Sequence, residues 1–201
     1  LAVELARRLE HPLTLANVLL HVAIHHVERR EPDRALTFAD ELVELAAPLG
    51  FPMFEGAGRF LRGCARADAG DLEAGIAEME HALGELAKVA VGIGSPGFLV
   101  LFAERLRRVG RHDDALAIAA LGLMRAESQG AHWGDAELHR VHACTLLDRG
   151  GADEEAEQRL AQSLEIARRQ ENHLFALRTA MDLARLWQGR GQCAAARALL
   201  E

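Results

Sequence analysis

Two series of small residues run through this chain at one period. Gly70, Gly110, Gly150 and Gly191 lie 40, 40 and 41 residues apart, and Ala35, Gly75, Ala115, Ala156 and Ala196 lie 40, 40, 41 and 40 apart. Each glycine closes a segment whose apolar residues recur at spacings of three and four. Each small residue of the second series sits about five residues further on, inside another such segment. Glycine tolerates the left-handed backbone that ends a helix, and alanine or glycine lets two helix backbones approach closely. A fixed period that assigns both roles is the mark of a repeat architecture, in which each helical hairpin covers its neighbour's apolar stripe instead of folding round one central core.

Taken in order, Leu1 to Glu10 reads as the tail of a helix, broken at His11-Pro12. Proline suits the first turn of the next helix, because the N–H it lacks has no intrahelical partner there. That helix runs to about Arg30. After Glu31-Pro32-Asp33 another carries Ala35, Leu36, Ala39, Leu42, Val43 and Ala46. The period then divides the chain into hairpins at about 12–50, 51–94, 95–132, 133–172 and a truncated 173–201, with 1–10 the end of a preceding one. In Ser163 to Gly191 a polar break at Gln170-Glu171-Asn172-His173 separates two helices, the second with Leu177, Ala180, Ala184 and Trp187 on one stripe. The expected fold is all-α, a right-handed α-solenoid of antiparallel helical hairpins forming a single domain over 1–201, a fragment of a longer protein.

Composition agrees and narrows the function classes. Aromatic content is 4% and Tyr is absent, which favours closely packed helices over sheet. The 23 basic against 30 acidic residues give a net charge of −7, without the basic excess that phosphate neutralisation requires, so direct nucleic-acid binding is not expected. No long apolar run or signal-peptide pattern occurs, which points to a cytoplasmic chain that enters no membrane. Cys64, Cys144 and Cys193 are scattered and odd in number, as reduced thiols are.

Several short patterns compete with this bland reading. Gly92-Ile93-Gly94-Ser95-Pro96-Gly97 matches G-x-G-x-x-G, with Asp113-Asp114 downstream, but no βαβ unit surrounds it and the period places a loop there. His21 and His25, with His26 and Glu28, share a helix face that is capable of ligating a metal, yet the order His-Glu-x-x-His is absent. Glu78 to His81 is a lone Glu-x-x-His, where a di-iron site needs two. His139, His142 and Cys144 do not converge at helical spacing. No Gly-x-Ser-x-Gly occurs, and Cys64 and Cys144 read as small apolar fillers. The expectation is that there is no catalytic residue, cofactor or metal, and that the chain is not an enzyme; a metal-dependent enzyme built on the His-rich first helix is the weakest alternative.

Seven residues separate a small helical residue from each hinge glycine (Gly63 to Gly70, Ala103 to Gly110, Ala143 to Gly150, Ala184 to Gly191), and about five more lead to the next small one. This pattern resembles a tetratricopeptide repeat, although the period is near 40 instead of 34 and the aromatic positions of the first helix are mostly otherwise filled. The stretch Ser163 to Leu200, especially Leu164 to Gln170 and Leu183 to Trp187, resembles the C-terminal repeat region of bacterial signalling proteins with cyclase and ATPase domains, or of maltose-activator-type ATP-dependent transcription regulators. The resemblance implies that first helices line a concave groove, with Asn17, Leu20, Phe60, Cys64, Glu104, Arg107, Arg140, Cys144, Arg178, Arg185 and Gln188 facing it. Arg140, Arg178 and Arg185 would take a carboxylate or acidic peptide end by bidentate pairing, and Leu20 and Phe60 would supply apolar contact. The competing reading is a solvated groove whose arginines pair with residues such as Glu137. The implied function is a scaffold for protein–protein or interdomain regulatory contacts, the partner being a protein, a peptide or another domain of the same parent chain; a small-molecule inducer sensor is the alternative. Uncapped apolar ends add the expectation of a homodimer.

Overall fold

The computed structural model describes residues 1–89 and 96–201, and among these all regular structure is helical. The helices are α1 (Ala2–Arg8), α2 (Pro12–Glu28), α3 (Pro32–Ala46), α4 (Pro52–Ala69), α5 (Leu72–Val89), α6 (Pro96–Arg108), α7 (His112–Gln129), α8 (Asp135–Arg149), α9 (Asp153–Arg169), α10 (His173–Gly189) and α11 (Cys193–Leu200). A 3-10 turn at His132–Gly134 precedes α8. The chain divides into two compact units, Leu1–Ile93 and Gly94–Glu201. The all-α solenoid expectation holds in each unit: α2 with α3, α4 with α5, α6 with α7, α8 with α9 and α10 with α11 are paired hairpins. First helices of successive hairpins also touch, α2 with α4 in unit 1 and α8 with both α6 and α10 in unit 2.

Proline opens α2, α3 and α4, where its missing N–H leaves no gap in the ladder. The hinge after α4 has Gly70 at φ +114°, and Gly110, Gly150 and Gly191 are likewise left-handed. The same position in the first hairpin is Arg30 at φ +57°. A second left-handed series marks the turns between hairpins, at Glu10, Gly50, Gly130 and Glu171. Three of these nine positions carry a side chain in a backbone region that favours glycine, so a glycine search alone misses them.

Packing inside each hairpin centres on the small residues. Ala35, Ala115, Ala156 and Ala196 are fully enclosed, as are Ala23, Ala103 and Ala143 on the partner helices. In unit 1 the crossing is closest, because both members are glycine. A Cβ on Gly75 would lie 2.5 Å from the Gly63 carbonyl oxygen and 2.6 Å from the Ala67 nitrogen. Around the crossings, Leu19, Leu42, Ala46 and Phe54 form a core cluster of unit 1, and Leu146, Leu160, Leu164 and Leu183 one of unit 2. Buried polar groups tie three helices of unit 2: Ser163 Oγ donates to Ala136 O at 2.7 Å and meets Thr179 Oγ1 at 2.8 Å.

The expected stripe on α10 needs one correction. Ala180 and Ala184 are buried and Trp187 half-buried, but Leu177 is exposed. The buried stripe instead runs through Phe175, Thr179 and Leu183, because α10 must face both α9 and α8, which rotates the covered arc away from Leu177.

Gly75→Ala sets a methyl against backbone atoms that cannot turn aside, so α4 and α5 must separate. We expect a loss of about 2–3 kcal/mol, measured as a lower urea midpoint. Gly84→Ala, in open space on the same helix, should instead gain up to about 1 kcal/mol.

Candidate functional site

In unit 2 the first helices α6, α8 and α10 bring charged side chains together, with Arg140 of α8 at the centre. Its Nε donates to Glu137 Oε1 at 3.0 Å and its Nη2 to Glu137 Oε2 at 2.9 Å, a bidentate pair along one helix turn. Its Nη1 donates to Asp182 Oδ2 on α10 at 2.9 Å, and Nη2 reaches Glu104 Oε2 on α6 at 3.4 Å. Arg178 stands 3.6 Å from Glu137, Arg185 2.7 Å from Asp182, and Arg107 pairs with Glu104 at 3.1 Å and with Asp148. Four arginines thus interleave with four carboxylates.

The Arg140 side chain is only 5% exposed and that of Glu137 3%. Burial alone would lower the Arg140 pKa, but Glu137 and Glu104 more than reverse this and hold it well above the ordinary value. Arg107 is raised too, against the cost of its burial, chiefly by Glu104. Beside them, burial pushes the Cys144 thiol up to about 12, with Arg140 opposing and Asp182 reinforcing. Its Sγ donates to Asp182 Oδ2 at 3.4 Å. A thiol so held is a protonated donor and no nucleophile.

Several expected groove residues are therefore corrected. Arg140, Glu104 and Cys144 do not face an open groove, since α6 and α10 pack directly on α8 and cover its flanks. Phe60 and Cys64 are completely buried in unit 1, where α2, α3 and α5 enclose α4 on three sides. Leu20 is half-buried against the unit 1 core. Asn17, Arg185 and Gln188 are exposed, and Arg107 and Arg178 are partly so. The glutamate-paired alternative is the one that describes Arg140.

What the groove positions leave open is one face of α10. Leu177 is 56% exposed and Met181 40%, with Leu174 before them and Arg185 and Gln188 after, at spacings of three and four. One hairpin earlier the equivalent positions Ala136, Arg140 and Cys144 are buried under α10 itself. Sequence reading missed Met181, Asp182 and Asp148. The signal for Met181 was present as a second apolar spacing, Leu174, Leu177, Met181, competing with the stripe that the core uses.

The other patterns do not assemble. Gly92 to Ser95 of the glycine-rich string lies outside the described residues, and Gly97, just inside α6, lies beneath the Trp133 ring. His21 Nδ1 donates to Asn17 O at 2.8 Å, while His26 pairs with Glu31 at 2.7 Å and stacks on Phe38. The Glu78 carboxylate binds Arg62 and Arg66. Among the described residues no group of three or more His, Cys, Asp or Glu is placed to hold a metal, and no helix is long and apolar enough to cross a membrane.

His139 and His142 lie on α8, and the buried Nδ1 of each lacks a hydrogen-bond partner. Burial, then the positive charge of Arg159, lowers the His139 pKa to about 4. The unfolded chain takes up a proton near the ordinary value of about 6.5, which the native state refuses until about 4. This contribution to stability is full above pH 6.5 and is lost as pH falls toward 4. Urea midpoints should correspond to about 1 kcal/mol less stability at pH 5.5 than at 7.5 from this group, and His139→Gln should flatten that slope.

Removing Arg140 strands Glu137, Glu104 and Asp182 around a hole. Arg140→Ala should cost about 3–5 kcal/mol, and the double variant Arg140→Met with Glu137→Leu distinctly less, since an apolar replacement of both partners relieves the unpaired charge. Thermal unfolding of the two variants checks this order.

Neither a protein-family model nor a curated protein sequence matches this chain. Among solved structures it is similar to aspartyl phosphate phosphatase F from Bacillus subtilis, with a TM-score of 0.67 and 16% identity over 94% of this chain and 48% of that one. This chain thus spans about half the length of the phosphatase. It is also similar to two structures of the nearly identical TPR-like repeats of a putative kinesin light chain from Podosopora anserina. These give TM-scores of 0.64 and 0.62, both at 18% identity, over 94% and 95% of this chain and 92% and 93% of theirs. Identities this low speak to the fold alone, and the fold is the tetratricopeptide-like helical repeat.

Proposed function

We propose that this chain is a non-enzymatic tetratricopeptide-like scaffold whose α10 face, Leu177, Met181, Arg185 and Gln188, receives a segment of a partner protein or of another domain of the same parent chain. The observation that carries the reading is the make-up of one face of α10: Leu177 and Met181, 56% and 40% exposed, stand in line with Arg185 and Gln188 at spacings of three and four. An apolar pair beside the 64%-exposed Arg185 side chain suits an amphipathic segment that sets apolar residues on Leu177 and Met181 and a carboxylate toward Arg185. Arg140 takes no part in recognition, because its donors are already used within the network. The resemblance of Ser163 to Leu200 to bacterial repeat regions supports placing this scaffold, as one helical-repeat module, in a signalling or transcription-regulatory protein.

A photo-crosslinking residue introduced at Met181 in the producing cell tests this. A discrete protein adduct at position 181, absent when the same residue replaces exposed Glu127 on α7, is the expected outcome. Equal labelling at both positions, or none at either, would count against the proposal.

A further inference from the structure

Buried polar atoms without partners mark one side of α8. Asp135 Oδ1, His139 Nδ1 and His142 Nδ1 are buried and make no hydrogen bond, and spacings of four and three set them on one helix face. Glu137, Arg140 and Cys144 occupy the opposite face, where Arg140 is tied to α6 and α10 through Glu104 and Asp182. α8 thus has two polar sides, one bonded to its neighbours and one with three unmade bonds. The charges that act on the second side come from its hairpin partner α9 and from α8 itself. Arg159, paired with Glu155 at 3.2 Å, acts on both rings, Glu155 on His142, and Asp135 on His139. The 3-10 turn adds His132, which meets the other oxygen of Asp135 at 2.9 Å. α7 reaches α8 through Ala119 and Gly122, against Val141 and Leu138.

The register shows what histidine changes at this place. Leu99 one period earlier and Leu19 three periods earlier hold the position of His139 and are also buried, while Arg59 between them is partly exposed. A leucine there packs at any pH. An imidazole packs only while neutral, because a second proton gives it an N–H on both nitrogens; Nδ1 then has no acceptor, and Arg159 repels the charge.

We propose that the contact of α8 with α9 is an acid-sensitive latch, closed while His139 and His142 are neutral and released when they take up protons, with the Arg140 network holding α8 to α6 and α10. Opening lets water reach all three unpartnered atoms, moves the imidazolium groups away from Arg159 and leaves Asp135 one turn from His139 as its counter-charge. The closed state refuses the proton until well below the ordinary histidine range, chiefly through burial, whereas a released ring titrates near about 6.5. Acid therefore favours the open state. The stability lost below that pH is thereby placed in one hairpin of unit 2.

Amide hydrogen exchange of the 201-residue chain at about pH 7.5 and about pH 5.5, corrected for the intrinsic rates, tests this. From His139 alone, exchange across α9 should rise about tenfold at the lower pH, with no such rise across α2 to α5. His139→Leu, matching the leucines at positions 19 and 99, should keep the helical signal and lose that tenfold rise. His139→Gln, which cannot take up a proton either, serves if leucine disturbs the packing. A wild type whose α9 exchange does not respond to pH, a rise spread evenly over both units, or a rise of the same size in a folded His139 variant would overturn the assignment.

Discussion

The structure depends on how closely two antiparallel helices cross within each hairpin. At Gly63 and Gly75 there is no room for a single methyl between backbones, and equivalent pairs recur as Ala23 with Ala35, Ala103 with Ala115, Ala143 with Ala156 and Ala184 with Ala196. A separation of twelve or thirteen residues between the members, with a left-handed turn midway, brings them face to face. Close crossing of this kind leaves large side chains no place at the hairpin centre. It directs leucine and phenylalanine outward to the flanks, where they meet the neighbouring hairpin. The period of small residues thus generates the stack, since a hairpin tight at its centre is apolar on its sides.

The crossing residues were legible because they answer a local backbone requirement that only glycine or alanine meets. The hinges at Gly70, Gly110, Gly150 and Gly191 precede them by five or six residues and are all left-handed. Turns at Glu10, Arg30 and Glu171 obey the same register but show no glycine, so the rule was visible only where the easiest residue satisfied it. Lateral burial was less legible. Phe60, Arg140 and Arg185 lie on equivalent helices at similar angular positions, yet Phe60 is sealed, Arg140 is nearly so and Arg185 is open. The difference lies in what packs against each helix from the side, which periodicity within the helix does not encode. The exposure of Leu13 and Met53 in unit 1, and of Trp133 and Leu174 in unit 2, escaped for the opposite reason: these residues sit at helix entrances, where an apolar residue reads as the start of a core stripe.

The register position of Arg140 is Leu20, Phe60, Val100 and Met181 elsewhere in the chain. Four apolar residues and one arginine at a shared position pose an energetic question, since a buried ion pair is seldom more stable than an apolar pair of the same size. Its effect is better sought in selectivity. Leu20 or Phe60 gains nearly as much from any apolar neighbour, because apolar burial is non-directional. Arg140 is satisfied only when Glu104 arrives on one side and Asp182 on the other; a helix of another hairpin or a shifted register would leave charge buried and unpaired, at a cost of several kcal/mol. Repeats that resemble one another at 40-residue intervals risk pairing out of order. The directional network centred on Arg140 thus favours α6 and α10, which carry Glu104 and Asp182, as the first helices that flank α8.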